Sequence, residues 1–330
     1  MKLRRRKFLR WAAAAAALPL GSTFAGAQAA YPTRPITIIV PFAPGGSTDV
    51  IARLVGEHML RTLGQQLVIE NFAGAGGTVG SIRAMRAKPD GYTIEMGHMG
   101  THAASVAYYR NLAYKPDIDF APIGIVIEQP MMIVARKDFP PKDLKEFVSY
   151  LKANAEKLNM AHAGVGSVTF NFCVMLNALL GVQPTMVPFN GSGPAGNAIM
   201  GGQVDYMCGV PEMGPQVQAG LIKAYAVGGP RRSQAVPDVP TAAEAGLPEF
   251  EARPWYALFA PKGTPQPILD RLTGALDKAL DDQNVGRRLA EIGCDIPDKS
   301  QRGQAALAAL VKNEIARWLP IIRAANVKVE

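Results

Sequence analysis

The sequence predicts an α/β protein of two domains that face each other across a cleft. Short apolar runs suited to buried strands alternate with stretches of helical apolar spacing, which favours mostly parallel sheets covered by helices on both faces. The 330 residues, 48% of them hydrophobic, exceed one ordinary domain. At 40–46 a predicted strand ends in a Val-Pro-Phe triplet and a glycine-containing turn, and the same pattern is repeated at 187–193. This repetition predicts one ligand-binding turn in each domain.

Residues 1–30 are predicted to be an export signal outside both domains. A basic start precedes an apolar segment from Trp11 to Leu20 and a small-x-small site, Ala27-Gln28-Ala29. Cleavage near Ala29 would leave the mature chain in the periplasm. The segment from Arg5 to Leu9 also fits the twin-arginine pattern, so twin-arginine and Sec export both stay open. No later apolar run approaches twenty residues, and a soluble mature protein is expected.

Charge and cysteine content argue against other classes of protein. The formal net charge of +8 includes six basic residues in the signal, so it falls to about +2 on cleavage and the main argument for nucleic-acid binding disappears. Cys173, Cys208 and Cys294 form neither a CxxC motif nor a zinc pattern. Buried free thiols are expected, with a bridge between Cys173 and Cys208 left open.

The first strand, Ile36 to Val40, leads through the turn at 41–46 into a helix with apolar residues at helical spacing. At a helix N-terminus the first amide N–H groups lack partners within the helix, and the dipole places about half a positive charge there. Gly45 and Gly46 would let a ligand approach the main chain, and Ser47 to Asp49 are N-cap types. This turn is therefore a candidate anion site.

Two further strand exits lie on the same predicted edge of the first sheet. The strand Leu67 to Glu70 is followed by a second glycine-rich turn at 71–78, and the strand Tyr92 to Met96 by a polar loop at 97–102. Ligands of such sheets bind outside the carboxyl ends of the strands. These loops are therefore expected to surround the same ligand.

The chain is predicted to cross to the second domain near residue 130, with a helix-forming stretch beginning at Asp138. Loops at 164–167 and at Asn190 follow strands of this domain and are expected to face the first. The predicted strands from the end of the first domain onward are Ile123–Ile127, Met131–Ala135, Met160–Ala163, Thr185–Phe189, Val204–Met207 and Ala224–Val227.

A proline-rich segment at 228–254 is predicted to return to the first domain, with a small helix marked by the capping box of Thr241 and Glu244. A strand from Trp255 to Ala260 and the last helices are assigned to the first domain. The predicted domains are thus 31–130 with 254–330, and 131–253. Two crossover segments would form a hinge that can close the cleft. The last helices start near Pro265, Asp282 and Gln301.

Catalysis and metal binding have no specific signal in the sequence. His98 and His102 are four residues apart, but glycine breaks the segment and no third ligand is near. Ser167 lacks the Gly-x-Ser-x-Gly frame of a nucleophile elbow, and no Walker or dinucleotide motif occurs. No cofactor is predicted. A catalytic triad assembled from distant residues stays open.

Several segments of the mature chain match the signatures of a known family. In the first half these are Arg34-Pro35-Ile36, 40–49, Glu70-Asn71 with 74–77, 89–93 and 119–123; in the second half, 201–205, 237–241 with 244–246, and 260–265. The chain resembles the extracytoplasmic substrate-binding proteins of tripartite tricarboxylate transporters, also called Bug proteins.

The resemblance implies a type II periplasmic-binding-protein-like fold, in which two α/β domains with mixed sheets and a two-strand hinge close on a small carboxylate. It implies delivery of that ligand to the integral-membrane permease subunits of a secondary transporter, and we expect a monomer. The ligand-binding residues that it implies are Phe42, Gly45, Gly46, Ser47, Thr48, Asp49, Ala75, Gly76, Gly77, Thr78, Thr101, His102, Ser167, Thr169, Phe170, Phe189, Asn190, Gly191 and Ser192.

Two positions depart from the family pattern. Phe170 stands where a histidine is frequent, and Asn190 where a lysine or arginine is frequent. Both changes remove a positive or protonatable group, which favours a mono- or dicarboxylate with an apolar body, including an aromatic acid stacked on Phe170. The alternative is that Phe170 packs in the core.

Two other functions stay open at this stage. One is a periplasmic hydrolase or lyase that uses His98, His102 or Ser167. The other is a sensor that presents its ligand to a membrane kinase. Turnover of the acid would distinguish the enzyme from the binding protein.

Overall fold

The structure, a computed structural model, describes residues 31–324. The predicted export signal at 1–30 therefore lies outside the described residues. Within 31–324 there is no helix of the length and apolarity needed to cross a membrane.

The first sheet contains five strands in a mixed arrangement. They are β1 (Ile36–Val40), β2 (Leu67–Asn71), β3 (Thr93–His98), β4 (Phe120–Glu128) and β10 (Trp255–Pro261), in the order β2-β1-β3-β10-β4. β1 pairs in parallel with β2 and β3, whereas β10 lies antiparallel between β3 and β4. Four of the five strands run in the same direction, as expected for a mostly parallel sheet, and the returning chain inserts β10 in the opposite direction.

Helices cover both faces of this sheet. One face packs on α1 (Ser47–Leu63), α8 (Gln266–Leu280) and α9 (Gln283–Glu291), and the other on α2 (Thr78–Met85), α3 (Ser105–Tyr108) and α10 (Gln304–Ala324). Side chains alternate across a strand, so Ile36, Ile38 and Val40 enter the first of these cores while Ile39 enters the second. This double burial explains the continuous apolar run of β1.

The second sheet repeats the same plan. Its strands are β5 (Met132–Arg136), β6 (Asn159–His162), β7 (Thr185–Pro188), β8 (Tyr206–Gly209) and β9 (Ile222–Val227), in the order β7-β6-β8-β5-β9. Its helices are α4 (Leu144–Asn154), α5 (Val168–Leu180), α6 (Ser192–Met200) and α7 (Gly214–Gln218). The strand β5 follows the crossover from the first sheet and lies antiparallel between β8 and β9. It thus corresponds to β10, which lies antiparallel between two strands of the first sheet.

The two crossover segments lie side by side. Gln129 N donates to Pro254 O at 3.0 Å, and Met131 N donates to Ala252 O at 2.7 Å. Gly228 N also donates to Met131 O at 2.7 Å, and Ala252 N donates to Gly228 O at 2.8 Å. The outgoing and returning chains are therefore coupled. The predicted domain limits themselves remain a prediction.

The last helix contacts both halves of the molecule. α10 packs on β4 and α3, and its Trp318 also meets Phe172 of α5 edge to face, with ring centroids 5.6 Å apart. The prediction placed this helix in the first domain and did not include its contact with α5 of the second.

Several predicted elements differ in their limits. The helix predicted from Asp138 begins only at Leu144, because Pro140 and Pro141 favour extended backbone before them and Asp143 caps the helix. The predicted strand at 204–207 is shifted to Tyr206–Gly209. Thr241 and Glu244 do bond each other's main chain reciprocally, but they close a turn rather than a helix.

The three cysteines are free and buried. Cys208 N donates to the sulfur of Cys173 at 2.9 Å, so the two residues are neighbours without a bridge. The expectation of buried free thiols is confirmed.

Candidate functional site

Four helices begin at the cleft between the two sheets. Each follows a strand and a glycine-containing turn: 42–46 before α1, 74–77 before α2, 164–167 before α5 and 189–191 before α6. We call these segments the cleft turns. Their helix N-termini direct amide N–H groups and positive dipole ends toward the cleft. The cleft turns contain no lysine and no arginine.

The 42–46 and 189–191 turns contact each other directly. Ala43 N donates to Asn190 O at 3.0 Å, and Ser47 N donates to Ser192 Oγ at 3.3 Å. Gly46 and Gly193 allow this approach, because a Cβ on Gly46 would lie 2.7 Å from Ser192 Oγ. The two domains are thus in contact through the turns that the sequence repeats.

The 74–77 turn contacts the 164–167 turn in the same way. Gly76 has φ +61°, and a Cβ there would lie 1.7 Å from Val165 O. The hydroxyl of Tyr109 lies 2.9 Å from Ala75 O and 3.0 Å from Val165 O, one carbonyl in each half of the molecule. Glycine is required at 76 by the approach of the second domain as well as by its backbone angle.

Asp49 holds the first cleft turn together. Its carboxylate accepts hydrogen bonds from Gly45 N at 3.0 Å, from Arg53 at 2.9 and 3.0 Å and from Asn71 Nδ2 at 3.0 Å. Burial alone would raise the pKa of Asp49, but these hydrogen bonds hold it below its ordinary value. Asn71 Nδ2 also donates to Phe42 O at 2.9 Å. The Asp49 side chain is therefore engaged in shaping the turn.

Ser167 and Thr169 shape the third cleft turn. Ser167 Oγ accepts from Phe170 N at 3.2 Å as the N-cap of α5, and it lies 3.1 Å from Thr169 Oγ1. Thr169 Oγ1 in turn accepts from Ala163 N at 2.8 Å. Both side chains are buried at the turn. Thr78 plays a similar local part in the second turn, where its hydroxyl donates to Ala75 O at 3.0 Å.

Phe170 is enclosed between the two halves of the molecule. Only 1% of it is exposed, and its ring centroid lies 4.7 Å from that of His162 and 5.3 Å from that of Tyr108. Tyr108 belongs to the first half, so Phe170 joins the two halves as well as packing in the core. Burial lowers the pKa of His162 to about 4, which leaves this ring neutral at pH 7.

Thr101 and His102 lie behind the cleft turns in the core. The chain predicted as a polar loop at 97–102 instead completes β3 and enters a single π-helical turn, Gly100–Ala104. The ring of His102 stacks on Phe259 with centroids 3.8 Å apart, and the hydroxyl of Thr101 bonds the main chain of His98. Neither side chain faces the cleft. At this turn it is Gly100 that approaches the second domain, where a Cβ would meet Gly166 O at 2.4 Å.

His102 has a buried acidic neighbour. Its Nε2 lies 3.8 Å from Oε2 of Glu95, and both groups are fully buried. Burial raises the pKa of Glu95 to about 8 and lowers the pKa of His102 well below its ordinary value, so both are neutral at pH 7. Among the described residues, no group of three His, Cys, Asp or Glu side chains is placed to hold a metal ion.

Glu212 is a site residue that the sequence analysis missed. Its Oε2 accepts from Ser47 Oγ at 3.0 Å and its Oε1 from Gln129 Nε2 at 2.6 Å, which places a carboxyl group at the N-terminus of α1. With Gly45, Ser47, Ser192 and Gly193 it lines a cavity of about 100 Å³. Glu212 follows the carboxyl end of β8. The rule that ligands gather at strand ends could have identified it.

Asn190 contacts the first domain through its main chain. Its carbonyl accepts from Ala43 N while the residue as a whole is exposed, and the neighbouring Phe189 is half-buried. The positive charge that a lysine or arginine would bring to this position is therefore not replaced by another basic residue within the cleft turns.

Comparison with known proteins identifies the family of the chain. Residues 51–327 match the family model "Tripartite tricarboxylate transporter family receptor". Among solved structures, MatC from Rhodopseudomonas palustris with bound malate is 49% identical, with a TM-score of 0.85 over 88% of this chain and 100% of that one. The periplasmic binding protein BugD is 40% identical, with a TM-score of 0.87 over 91% and 100%. R. palustris Rpa4515 with adipate is 30% identical, with a TM-score of 0.85 over 90% and 99%.

The family match and the fold confirm the predicted resemblance and the two-domain architecture of a periplasmic binding protein. The relatives are periplasmic solute-binding receptors rather than enzymes. The chain belongs to the tripartite tricarboxylate transporter receptor family and is a solute-binding protein.

Proposed function

We propose that this receptor captures a small mono- or dicarboxylate between its two domains and delivers it unchanged to the membrane permease subunits of a tripartite transporter. The observation that carries the proposal is the convergence of four helix N-termini from both halves on one cleft. Main-chain amides and hydroxyls are sufficient donors for a carboxylate, since each charge-assisted hydrogen bond contributes about 1.5 to 3 kcal/mol.

The ligand is proposed to contact the main chain of the cleft turns and the hydroxyl of Ser192, because the hydroxyls of Ser47 and Thr78 already donate to Glu212 and to Ala75 O. The side chains of Asp49, Thr101 and His102 are engaged in other contacts, so they act on the ligand only through the shape of the turns. The enclosure of Phe170 favours an aliphatic acid over an aromatic acid that would need its ring face. Malate in MatC and adipate in Rpa4515 are aliphatic dicarboxylates, which supports the same ligand class for this chain.

The absence of lysine and arginine from the cleft turns argues against a highly charged ligand such as citrate. Two carboxylate groups of a ligand can each be bound by a pair of helix N-termini, whereas a third carboxylate group would need a further positive group. We also propose that the chain is exported to the periplasm, cleaved near Ala29 and active as a monomer, in keeping with its periplasmic relatives.

Thermal melting of the purified mature protein with succinate, malate, adipate, benzoate and citrate tests the ligand class. A ligand at about 100 times its Kd stabilises the folded protein by about 2.7 kcal/mol, enough to raise the melting temperature by a few degrees. We expect this rise with an aliphatic dicarboxylate. A response to citrate alone would contradict the proposed class.

Nuclear magnetic resonance of the acid after prolonged incubation tests delivery without turnover. The proposal requires the spectrum of the acid to stay unchanged. Conversion to a new compound would favour the hydrolase or lyase instead, and a crystal with the acid bound away from the cleft turns would contradict the site.

A further inference from the structure

Glu212 is a carboxyl group placed where the site should bind an anion. It belongs to the second half of the molecule, yet it accepts a hydrogen bond from Ser47 in the first turn of α1 at 3.0 Å. The cavity of about 100 Å³ is lined by Glu212, by Gly45 and Ser47 around the start of α1, and by Ser192 and Gly193 in the first turn of α6. A ligand carboxylate held by α1 and α6 would therefore lie close to a second acidic group.

Within residues 31–324, no lysine, arginine or histidine forms an ion pair with Glu212. The groups that face it are the hydroxyl of Ser47 on α1, the amide of Gln129 on the outgoing crossover, Tyr256 on β10 and the thiol of Cys294 after α9. Arg53 is the basic residue of α1 closest in sequence to Ser47, and it is paired with Asp49. Burial accordingly raises the pKa of Glu212 to about 7, despite the hydrogen bonds from Gln129 and Ser47.

An anionic ligand and an ionised Glu212 repel each other in this enclosed setting. Two arrangements remove the repulsion. The ligand can present a hydrogen-bond donor to the carboxylate, as a hydroxyl or ammonium group next to its own carboxylate does. Alternatively, Glu212 can take up a proton when a ligand without such a donor binds.

We infer that Glu212 is a specificity-determining residue that selects carboxylates carrying a hydroxyl or ammonium donor beside the carboxylate. This inference rests on the proposed function and narrows its ligand class. The donor occupies the cavity beside Ser47 and Glu212, while the carboxylate binds the helix N-termini. An acid that lacks the donor binds only with Glu212 protonated, so its affinity depends on pH.

Calorimetric titration of the mature protein with succinate, malate and aspartate tests the selection. These acids share a four-carbon dicarboxylate skeleton and differ in a hydrogen, a hydroxyl or an ammonium group at one carbon. At pH 8.5 we expect malate or aspartate to bind at least about ten-fold more tightly than succinate, a difference that one hydrogen bond to a charged group can supply. Equal affinities for all three would overturn the inference.

The Glu212→Gln variant removes the charge and keeps the size of the side chain. It should bind succinate more tightly than the wild type does at pH 8.5, and its preference for malate or aspartate should shrink to within about three-fold. Glu156→Gln, on the exposed surface of the second half, is the matched control and should behave as wild type. A gain in succinate affinity cannot result from damage to the fold. An unchanged preference in a folded E212Q protein would overturn the inference.

The pH dependence of the wild type gives a second test that needs no variant. Between pH 6 and pH 8.5 the affinity for succinate should fall by about ten-fold or more as Glu212 ionises, while the affinity for aspartate stays nearly constant. Parallel pH profiles for the two acids would overturn the inference. If none of the acids bound at any pH, the proposed function itself would fail, which is a distinguishable result.

Discussion

At the scale of single residues, burial decides which polar groups of the candidate site can respond to pH. Glu95 and Glu212 both have raised pKa values because burial disfavours their charged forms. They differ in position, since Glu95 lies behind the cleft turns next to His102 and Glu212 lines the cavity between the two halves. Glu95 should therefore affect the stability of the fold, and Glu212 the binding of the ligand.

Glu95→Gln should reduce the loss of stability that the wild type shows as pH rises. The folded protein keeps Glu95 protonated up to about pH 8, whereas the unfolded chain releases that proton above its ordinary pKa. Stability from this group is therefore fully present at low pH and declines as pH rises from about 4.5 to about 8, by roughly 2 to 3 kcal/mol between pH 5 and pH 7. Ser81 can still donate to the amide oxygen of the variant, because it bonds Oε1 of Glu95 at 2.6 Å.

Urea denaturation of wild type, Glu95→Gln and the control Glu156→Gln at pH 5 and pH 7 measures this difference. The control changes an exposed glutamate and should follow the wild type at both pH values. A free-energy difference between Glu95→Gln and wild type that is the same at both pH values would contradict the assigned protonation of Glu95.

At the scale of elements, the repeated unit is a strand, a glycine-containing turn and a helix, and in α5 the helix also has a side-chain cap. Ser167 illustrates the unit, since its hydroxyl caps α5 through Phe170 N while its neighbours contact the first domain. Asp143 caps α4 through Glu146 N at 2.8 Å in the same way, but α4 begins outside the cleft turns. The two caps have the same local chemistry and differ in what lies beyond the helix N-terminus.

Ser167→Ala and Asp143→Ala should each destabilise the protein by about 1 kcal/mol, the usual cost of a lost N-cap. Only Ser167→Ala should also weaken ligand binding, by about ten-fold, because the first turn of α5 supplies donors to the cleft. Denaturation and calorimetric titration with the best ligand of the panel measure the two effects. Equal affinities in both variants would show that α5 does not contribute to the site.

These elements were largely predictable from the sequence. Strand and turn are set by residues within a few positions of one another, so the turns at 42–46 and 189–191 and the start of α1 agree with the prediction. The N-cap of α1 does not, since it is Gly46 without a side-chain cap rather than one of Ser47 to Asp49. The structure of the segment at 97–102 could not be predicted in this way, because its π-helical turn depends on the packing of His102 against Phe259 from a distant strand. The inserted antiparallel strands β5 and β10 also depend on pairing between distant segments.

At the scale of the whole molecule, glycines let the two halves approach each other. Gly46, Gly76, Gly100 and Gly193 each face main-chain or hydroxyl atoms of the opposite half at distances that a side chain would obstruct. The coupled crossover segments at 129–131 and 228–254 connect the same two halves. Closure of the cleft therefore depends on backbone contact between turns as well as on the ligand.

Gly76→Ala should prevent full closure and lower the affinity for ligand at least about ten-fold. Its added Cβ would collide with Val165 O, and its positive φ adds about 1 kcal/mol of strain. Gly202→Ala is the matched control, since Gly202 has φ +68° and no atom within 4 Å of the added Cβ. Both variants should lose similar stability, and only Gly76→Ala should lose affinity.

Small-angle X-ray scattering with and without ligand adds a direct measure of closure. The wild type and Gly202→Ala should share the same radius of gyration with ligand, whereas Gly76→Ala should stay larger. A fully compact Gly76→Ala protein with normal affinity would contradict the role of this contact.

The sequence by itself determined the α/β class, the glycine turns, the helix starts beside them and the family. It did so because backbone preference, capping and apolar spacing act over a few neighbouring residues. Only the tertiary structure decided that Gly76 faces Val165, that His102 turns into the core and that Glu212 reaches Ser47 across 165 residues of chain. Such contacts depend on the path of the chain through two crossovers, and no local pattern of residues encodes that path.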